Sequence, residues 1–262
     1  MDYEYIREKL DILPVKDLIP HEERIAPNVL RLQEAMLNIG QLVDPIIIDK
    51  KTNVVLDGNH RLKVLEIIRV PNSICQMVDY SDKRIELKGW YPASNKLKKE
   101  LFENTGIKLE KVDFGQGKQE IENKKAAFML KENGNSYLLN PGNYSLDELI
   151  TEQQKIIDKI SGNEFAYVAD DLIPDDFIDP KGVLFRKTYT KEEVIKRALS
   201  KKLFPPKSTR HLIPDRIIRL NMRLGWLHQD KTEAMDYLER LLKDRVYAGN
   251  VRRYFEPVIV IY

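Results

Sequence analysis

A chain of 262 residues with 42% apolar and 32% charged side chains has the composition of a globular protein with one large core or two modest ones, and it carries no low-complexity tract or repeat. A net charge of +2 excludes a global field for nucleic acid, so any such affinity needs a local basic patch. The single cysteine, Cys75, excludes an intrachain disulfide and suits a reducing, cytoplasmic compartment, while the charged start MDYEYIREKL and the lack of a spanning apolar run argue against export and the membrane.

Residues 2–11 read as a short helix with Tyr5, Ile6 and Leu10 on one side, followed by an extended piece around Val15 and the stretch Pro20-His21-Glu22-Glu23. Asn28 is placed to cap a helix running to Ile39, with Val29, Leu32, Met36 and Ile39 at helical spacing and Gly40 as its stop. Residues 45–49 and 54–56 are predicted as antiparallel strands, and a strand at 73–78 follows a helix that Pro71 ends near Arg69. Beyond Trp90-Tyr91-Pro92, which fits either a hinge or one wall of a pocket, the expected elements are a helix at 96–104 and a hairpin of 126–130 with 136–139 around ENGN. A helix capped by Ser145 is expected to Ile160, then strands at 165–168 and 183–185 with an acidic loop between them. Thr190 and Glu193 form a capping box for a helix to about Ser200. A strand at 216–220, a helix at 232–243 and a terminal strand at 257–262 complete the expected list.

Two stretches stand out chemically. In residues 54–61, VVLDGNHR, an apolar run ends abruptly in Asp57, Gly58, Asn59, His60 and Arg61 before an amphipathic helix. A strand, a tight turn and a helix start put free amides with partial positive charge beside an acid, an imidazole and a guanidinium, an arrangement suited to phosphate. In residues 203–214, LFPPKSTRHLIP, two prolines lead into Lys207, Ser208, Thr209, Arg210 and His211, whose hydroxyls and cationic heads also match phosphate oxygens. Three of the four histidines, His21, His60 and His211, lie in such polar stretches, and their long spacings do not favour zinc.

A phosphoryl-transfer site would take its donors from Arg61, His60, Arg210 and His211, magnesium or donor orientation from Asp57, and a base from Glu22 or Glu23. The GxxxxGK[ST] and GxGxxG motifs and the protein-kinase signatures are absent.

With these residues in view, the first 80 positions resemble the ParB/sulfiredoxin-type nucleotide-binding fold, with VLDGNHR in the place of its phosphate-binding box. The acid-and-histidine form of that box resembles the free serine kinases of archaea and of the staphylococcal siderophore-precursor pathway rather than chromosome-partitioning ParB. The likeness runs on through Pro20-His21-Glu22, Trp90-Tyr91-Pro92, LFRKTYTKEEV and LFPPKSTRH. It implies an α+β enzyme with a ParB/sulfiredoxin-like domain at 1–88, a mixed α/β domain at 89–262 and an active site in the cleft between them. It implies a kinase that moves a phosphoryl group from ADP or ATP, with Mg2+, to free L-serine. Glu22 would be the base, acting with Asp57 and His60. Gly58, Asn59, His60, Arg61 and Lys207 to His211 would surround the nucleotide and magnesium, with Asp57 nearest the metal. Trp90, His21 and Arg210 would face serine. Asn59 departs from the archaeal form, which has a second histidine there. The alternative is a ParB-like, DNA-associated regulator, which would need a helix-turn-helix or basic module that the sequence does not display.

Overall fold

The computed structural model describes residues 2–103, 105–161, 165–169 and 182–254. The expected terminal strand lies outside the described residues, as does nearly all of the expected acidic loop. Two compact units emerge, one of residues 1–85, 195–203 and 213–262, the other of residues 86–194 and 204–212.

The chain opens with α1 (Tyr3–Arg7), capped by Asp2, and then extends rather than continuing as helix, so that β1 (Leu10–Pro14) buries Leu10 and Ile12 by strand alternation. A 3-10 turn at Val15–Asp17 leads to α2 (Ala26–Ile39). This helix starts two residues before the expected cap because Pro27, in its first turn, pre-sets the helical φ. Val29 and Met36 are buried, whereas Ile39, expected on the packed face, is half exposed in the last turn. After β2 (Gln41–Leu42), the run IIID forms β3 (Ile46–Asp49), buried throughout. Next come β4 (Val55–Asp57), α3 (Asn59–Ile67) and β5 (Asn72–Val78). The sheet order is β1-β5-β3-β4, with β3 antiparallel to β4 as expected and parallel to β5. Cys75 is fully buried in β5; desolvation pushes its thiol up to about 12, so it stays protonated at neutral pH.

The second unit contains β6 (Glu86–Lys88), β7 (Trp90–Ser94), α4 (Lys99–Glu103), β8 (Leu109–Val112), α5 (Phe114–Glu122), β9 (Ala126–Glu132), β10 (Asn135–Pro141), α6 (Leu146–Ile160), β11 (Ala166–Ala169) and β12 (Gly182–Phe185). Trp90-Tyr91-Pro92 is thus the start of a strand, not a hinge. The six-stranded sheet runs β11-β7-β12-β9-β10-β8, all pairs antiparallel. Alternation along β9 divides the core. Phe128 and Leu130 join Leu139 and Ile156 in the cluster that contains residues of α6, while Met129 joins Leu138 and Ile121 of α5. The β9–β10 turn places Asn133 and Gly134 at φ 46° and 79°, the left-handed pair that a two-residue hairpin demands.

The helix α7 (Lys191–Leu199) carries the expected reciprocal cap, Glu193 N to Thr190 Oγ1 at 3.1 Å and Thr190 N to Glu193 Oε2 at 2.9 Å. A short strand, β13 (Arg210–Leu212), pairs with β6 inside the second unit. Residues 216–220 are not the expected strand. Their amides go to side chains, Ile217 N to Gln76 and Arg219 N to Asp44, and the left-handed φ of Arg219 breaks any ladder. Then β14 (Met222–Arg223) pairs with β2, and α8 (Leu224–Leu227) precedes α9 (Lys231–Tyr247). Residues after 213, expected in the second domain, share the core of the first unit, because Leu220, Met222, Leu227, Leu238 and Leu242 close over Leu10 and Ile12. The architecture is a mixed α/β fold of two subdomains, the first of which takes in residues from both the N- and the C-terminal parts of the chain. No helix among the described residues is long and apolar enough to cross a membrane.

Candidate active site

In the first unit, the segment around Glu22 is pinned to the start of α3 by two contacts. The amide of Ile25 donates to His60 Nε2 at 3.1 Å, which puts the ring proton of a neutral His60 on Nδ1. Asn59 lies against His21, 3.2 Å from its Nδ1. His21 itself is only 2% exposed, with Nδ1 2.5 Å from the Val55 carbonyl and Nε2 4.0 Å from Glu22 Oε2. Burial pushes its imidazole below the ordinary histidine range, against the pull of Glu22. Glu22 is partly buried, whereas Glu23 is exposed, which separates the two carboxylates that the sequence left as equal candidates for a base.

Gly58 is the N-cap of α3 and, having no side chain, offers no cap of its own. The leading amides of α3 carry the positive end of the helix dipole. The glycine is required twice over. Its φ is 106°, and a Cβ there would stand 3.1 Å from Arg61 Nε. Gly58→Ala is expected to destabilise the protein by about 1–2 kcal/mol, read as a lower midpoint in urea with an unchanged slope. Arg61 turns back over the glycine: NH1 donates to the carbonyls of Asp44 and Pro45 at 2.9 and 2.6 Å, and NH2 to Asp57 Oδ2 at 2.8 Å. Arg216, which sequence reasoning had not singled out, donates to the same Asp57 oxygen at 2.7 Å. Two guanidiniums thus converge on one carboxylate beside the start of α3.

The second unit holds the other candidates. The Trp90 ring has Lys207 Nζ 5.1 Å and Arg210 Cζ 5.4 Å from its centroid, distances at which its quadrupole attracts both cations. Ser208, Thr209 and His211 are buried. The start of this run, at Lys207 and Ser208, is held by Arg186, another residue passed over in the sequence. Arg186 is 3% exposed and donates through NH2 to the carbonyls of Trp90, at 3.0 Å, and of Lys207; its NH1 faces Ser208 Oγ at 3.4 Å. Lys207 has φ 62°, a left-handed conformation that this anchored carbonyl supports. Only the run LFRK around Arg186, with a charge inside an apolar strand pattern, signalled such a role.

Among the described residues, no group of three or more His, Cys, Asp or Glu could hold a metal ion. Asp57 Oδ2 is engaged by two guanidiniums. This donor set fits magnesium carried on phosphate oxygens and water, the usual habit of that ion with nucleotides, rather than a protein cage. The arrangement can bind anionic oxygens at α3 and at residues 207–211, and it offers one partly buried carboxylate for proton transfer.

No family model matches the chain. The ATP-dependent L-serine kinase of Staphylothermus marinus is 31% identical over 224 residues, covering 78% of this chain and 85% of that protein. The ADP-dependent L-serine kinase SerK of Thermococcus kodakarensis is 23% identical over 238 residues, covering 85% of this chain and 95% of its own. Among solved structures, a free serine kinase with a glutamate-to-alanine substitution, in complex with ADP, superposes with a TM-score of 0.69 at 22% identity, over 84% of this chain and 94% of that one.

Proposed function

The chain belongs to the free L-serine kinase family, and from that membership we propose a role for each residue of the candidate site. The protein transfers a phosphoryl group from ADP or ATP to serine, giving O-phospho-L-serine. Glu22 takes the proton of the serine hydroxyl as the oxygen attacks phosphorus. The leading amides of α3, the Nδ1–H of His60 and the charge of Arg216 receive phosphate oxygens, while Asp57 and Arg61 hold that turn in shape. Ser208, Thr209, Arg210 and His211, with Lys207, bind the nucleotide phosphates, and Trp90 and Arg210 face the amino acid. Mg2+ held through the nucleotide phosphates, with Asp57 as the candidate carboxylate beside it, would supply charge neutralisation there. The chemistry is placed in the cytoplasm, where the one thiol remains reduced.

The observation that carries this reading is the tie between the Glu22 segment and the start of α3, through His60 to Ile25 and Asn59 to His21. A proton acceptor and an anion cradle are thereby fixed to one another. The test is incubation with magnesium, ADP or ATP and a panel of free amino acids including threonine and homoserine, followed by phosphorus NMR. A phosphomonoester resonance should form with serine, and the donor that supports it is read from the same spectra. Release of inorganic phosphate alone, with every acceptor, would overturn the assignment.

A further inference from the structure

Arg216 reaches Asp57 from residues 216–220, which belong to no helix or strand. Its backbone is nevertheless fixed on both sides. The Gln76 side chain, in β5 and only 1% exposed, donates from Nε2 to the carbonyl of Asp215 at 3.0 Å. Its Oε1 accepts from the amide of Ile217 at 2.9 Å. A carbonyl only accepts and an amide only donates, so these two partners fix which way round the carboxamide lies. One planar group thus pairs with the peptide groups before and after residue 216, as the backbone of a neighbouring strand would. The flanks are tied as well. The Asp215 carboxylate meets Tyr5 OH at 2.5 Å, Lys9 Nζ at 3.2 Å and Arg253 NH2 at 2.6 Å, and the amide of Arg219 donates to Asp44 Oδ1 at 2.7 Å. Asp215 and Arg219 have φ of 52° and 54°, left-handed conformations that persist where the surroundings over-determine them.

We infer that Gln76 is a positioning residue for nucleotide binding, which aims the Arg216 guanidinium at phosphate by clamping the backbone on either side of it. The inference rests on the reading of Arg216 as a phosphate ligand. The Arg216 side chain is 38% exposed, and its NH1 lies beside Asp57, the residue before the Gly58 cap, so an anion at the start of α3 meets it. A long side chain has many rotamers, and rooted in an irregular segment it would also inherit the freedom of its backbone. Asp57 orients its head and Gln76 its root. Less ordering is then left to be done when nucleotide binds, which is how preorganisation raises affinity. The clamp acts on the main chain, so it holds whichever acceptors the guanidinium meets.

Gln76→Met keeps the volume and removes both hydrogen bonds. Calorimetric titration with magnesium and ADP or ATP should show about tenfold weaker binding for this variant and for Arg216→Met, with the KM for serine within about twofold of wild type. In the double variant the loss should remain about tenfold instead of reaching about a hundredfold, because a clamp that acts through Arg216 then has no guanidinium to aim. A structural role alone would make the two losses multiply, and that result overturns the inference, as does undiminished affinity in Gln76→Met. Undiminished affinity in Arg216→Met is a different failure, since it removes Arg216 from the phosphate site and with it the reading beneath the inference. Should Gln76→Met not fold, hydrogen exchange at the Ile217 amide of the wild-type protein decides the matter. Protection already present without nucleotide is expected. Protection that appears only with nucleotide, or not at all, overturns the inference.

Discussion

Glu22→Gln is expected to lower kcat by about 10²–10⁴-fold while nucleotide affinity stays within about twofold of wild type. The substitution is nearly isosteric and removes only the ability to take a proton. Serine Oγ is a weak nucleophile while it keeps its hydrogen, so the loss falls on the chemical step rather than on binding. Glu22 lies partly buried beside His21, and the ties from its segment to α3 run from Ile25 to His60 and from His21 to Asn59, so its amide should be tolerated without rearrangement of the phosphate cradle. Steady-state kinetics with both donors, together with calorimetric titration of the nucleotide, check both halves. Turnover near wild type would move the base elsewhere, with exposed Glu23 the next candidate. A loss of nucleotide affinity equal to the loss of kcat would make Glu22 a binding group.

Much of the architecture was legible where local signals and burial agree. The apolar run before Asp57, the glycine and the amphipathic run after it could form little but strand, turn and helix, and they do so as β4, Gly58 and α3. The same holds for the Asn133-Gly134 hairpin and the Thr190 and Ser145 caps, each a local device whose partners lie within four residues. Residues 105–125 were left without an assignment because their helix, α5, buries only Gly117 and Ile121, too little to set a period. Residues 216–220 were read as strand from apolar content alone. Their conformation is set instead by Gln76 and Asp44, which lie more than 130 positions away and leave no trace in the local pattern.

The site divides along the same line. Asp57, Gly58, His60 and the 207–211 run stand out as candidates in the sequence because chemically rich residues are contiguous there. Arg216 and Arg186 were missed because each acts at a distance in sequence, one on Asp57 and the other on Trp90 and Lys207. His21 was expected to face substrate. Its burial and its bond to Val55 are properties of how β4 and α3 pack, and no reading of Pro-His-Glu alone contains them.

Arg186→Met should destabilise the protein by about 2–4 kcal/mol and raise the KM for nucleotide at temperatures where it remains folded. The side chain is almost wholly buried and spends its guanidinium on two backbone carbonyls, those of Trp90 and Lys207. Hydrogen bonds from a charged donor contribute about 1.5–3 kcal/mol each, so two lost together would suggest a larger figure. Methionine offsets part of it, since it fills similar volume and removes a buried charge whose Nε has no partner. The carbonyls still lose their donor, and Lys207, at φ 62°, loses the contact that supports a left-handed backbone. That loop carries Ser208 to His211, so its release should be felt in phosphate binding before it is felt in serine binding. Arg186→Lys, able to reach one carbonyl but not both in the same fork, should fall between. Urea unfolding and nucleotide titration of the two variants test the order wild type, lysine, methionine. Stability of the methionine form within about 0.5 kcal/mol of wild type would show that the loop is held by something other than Arg186.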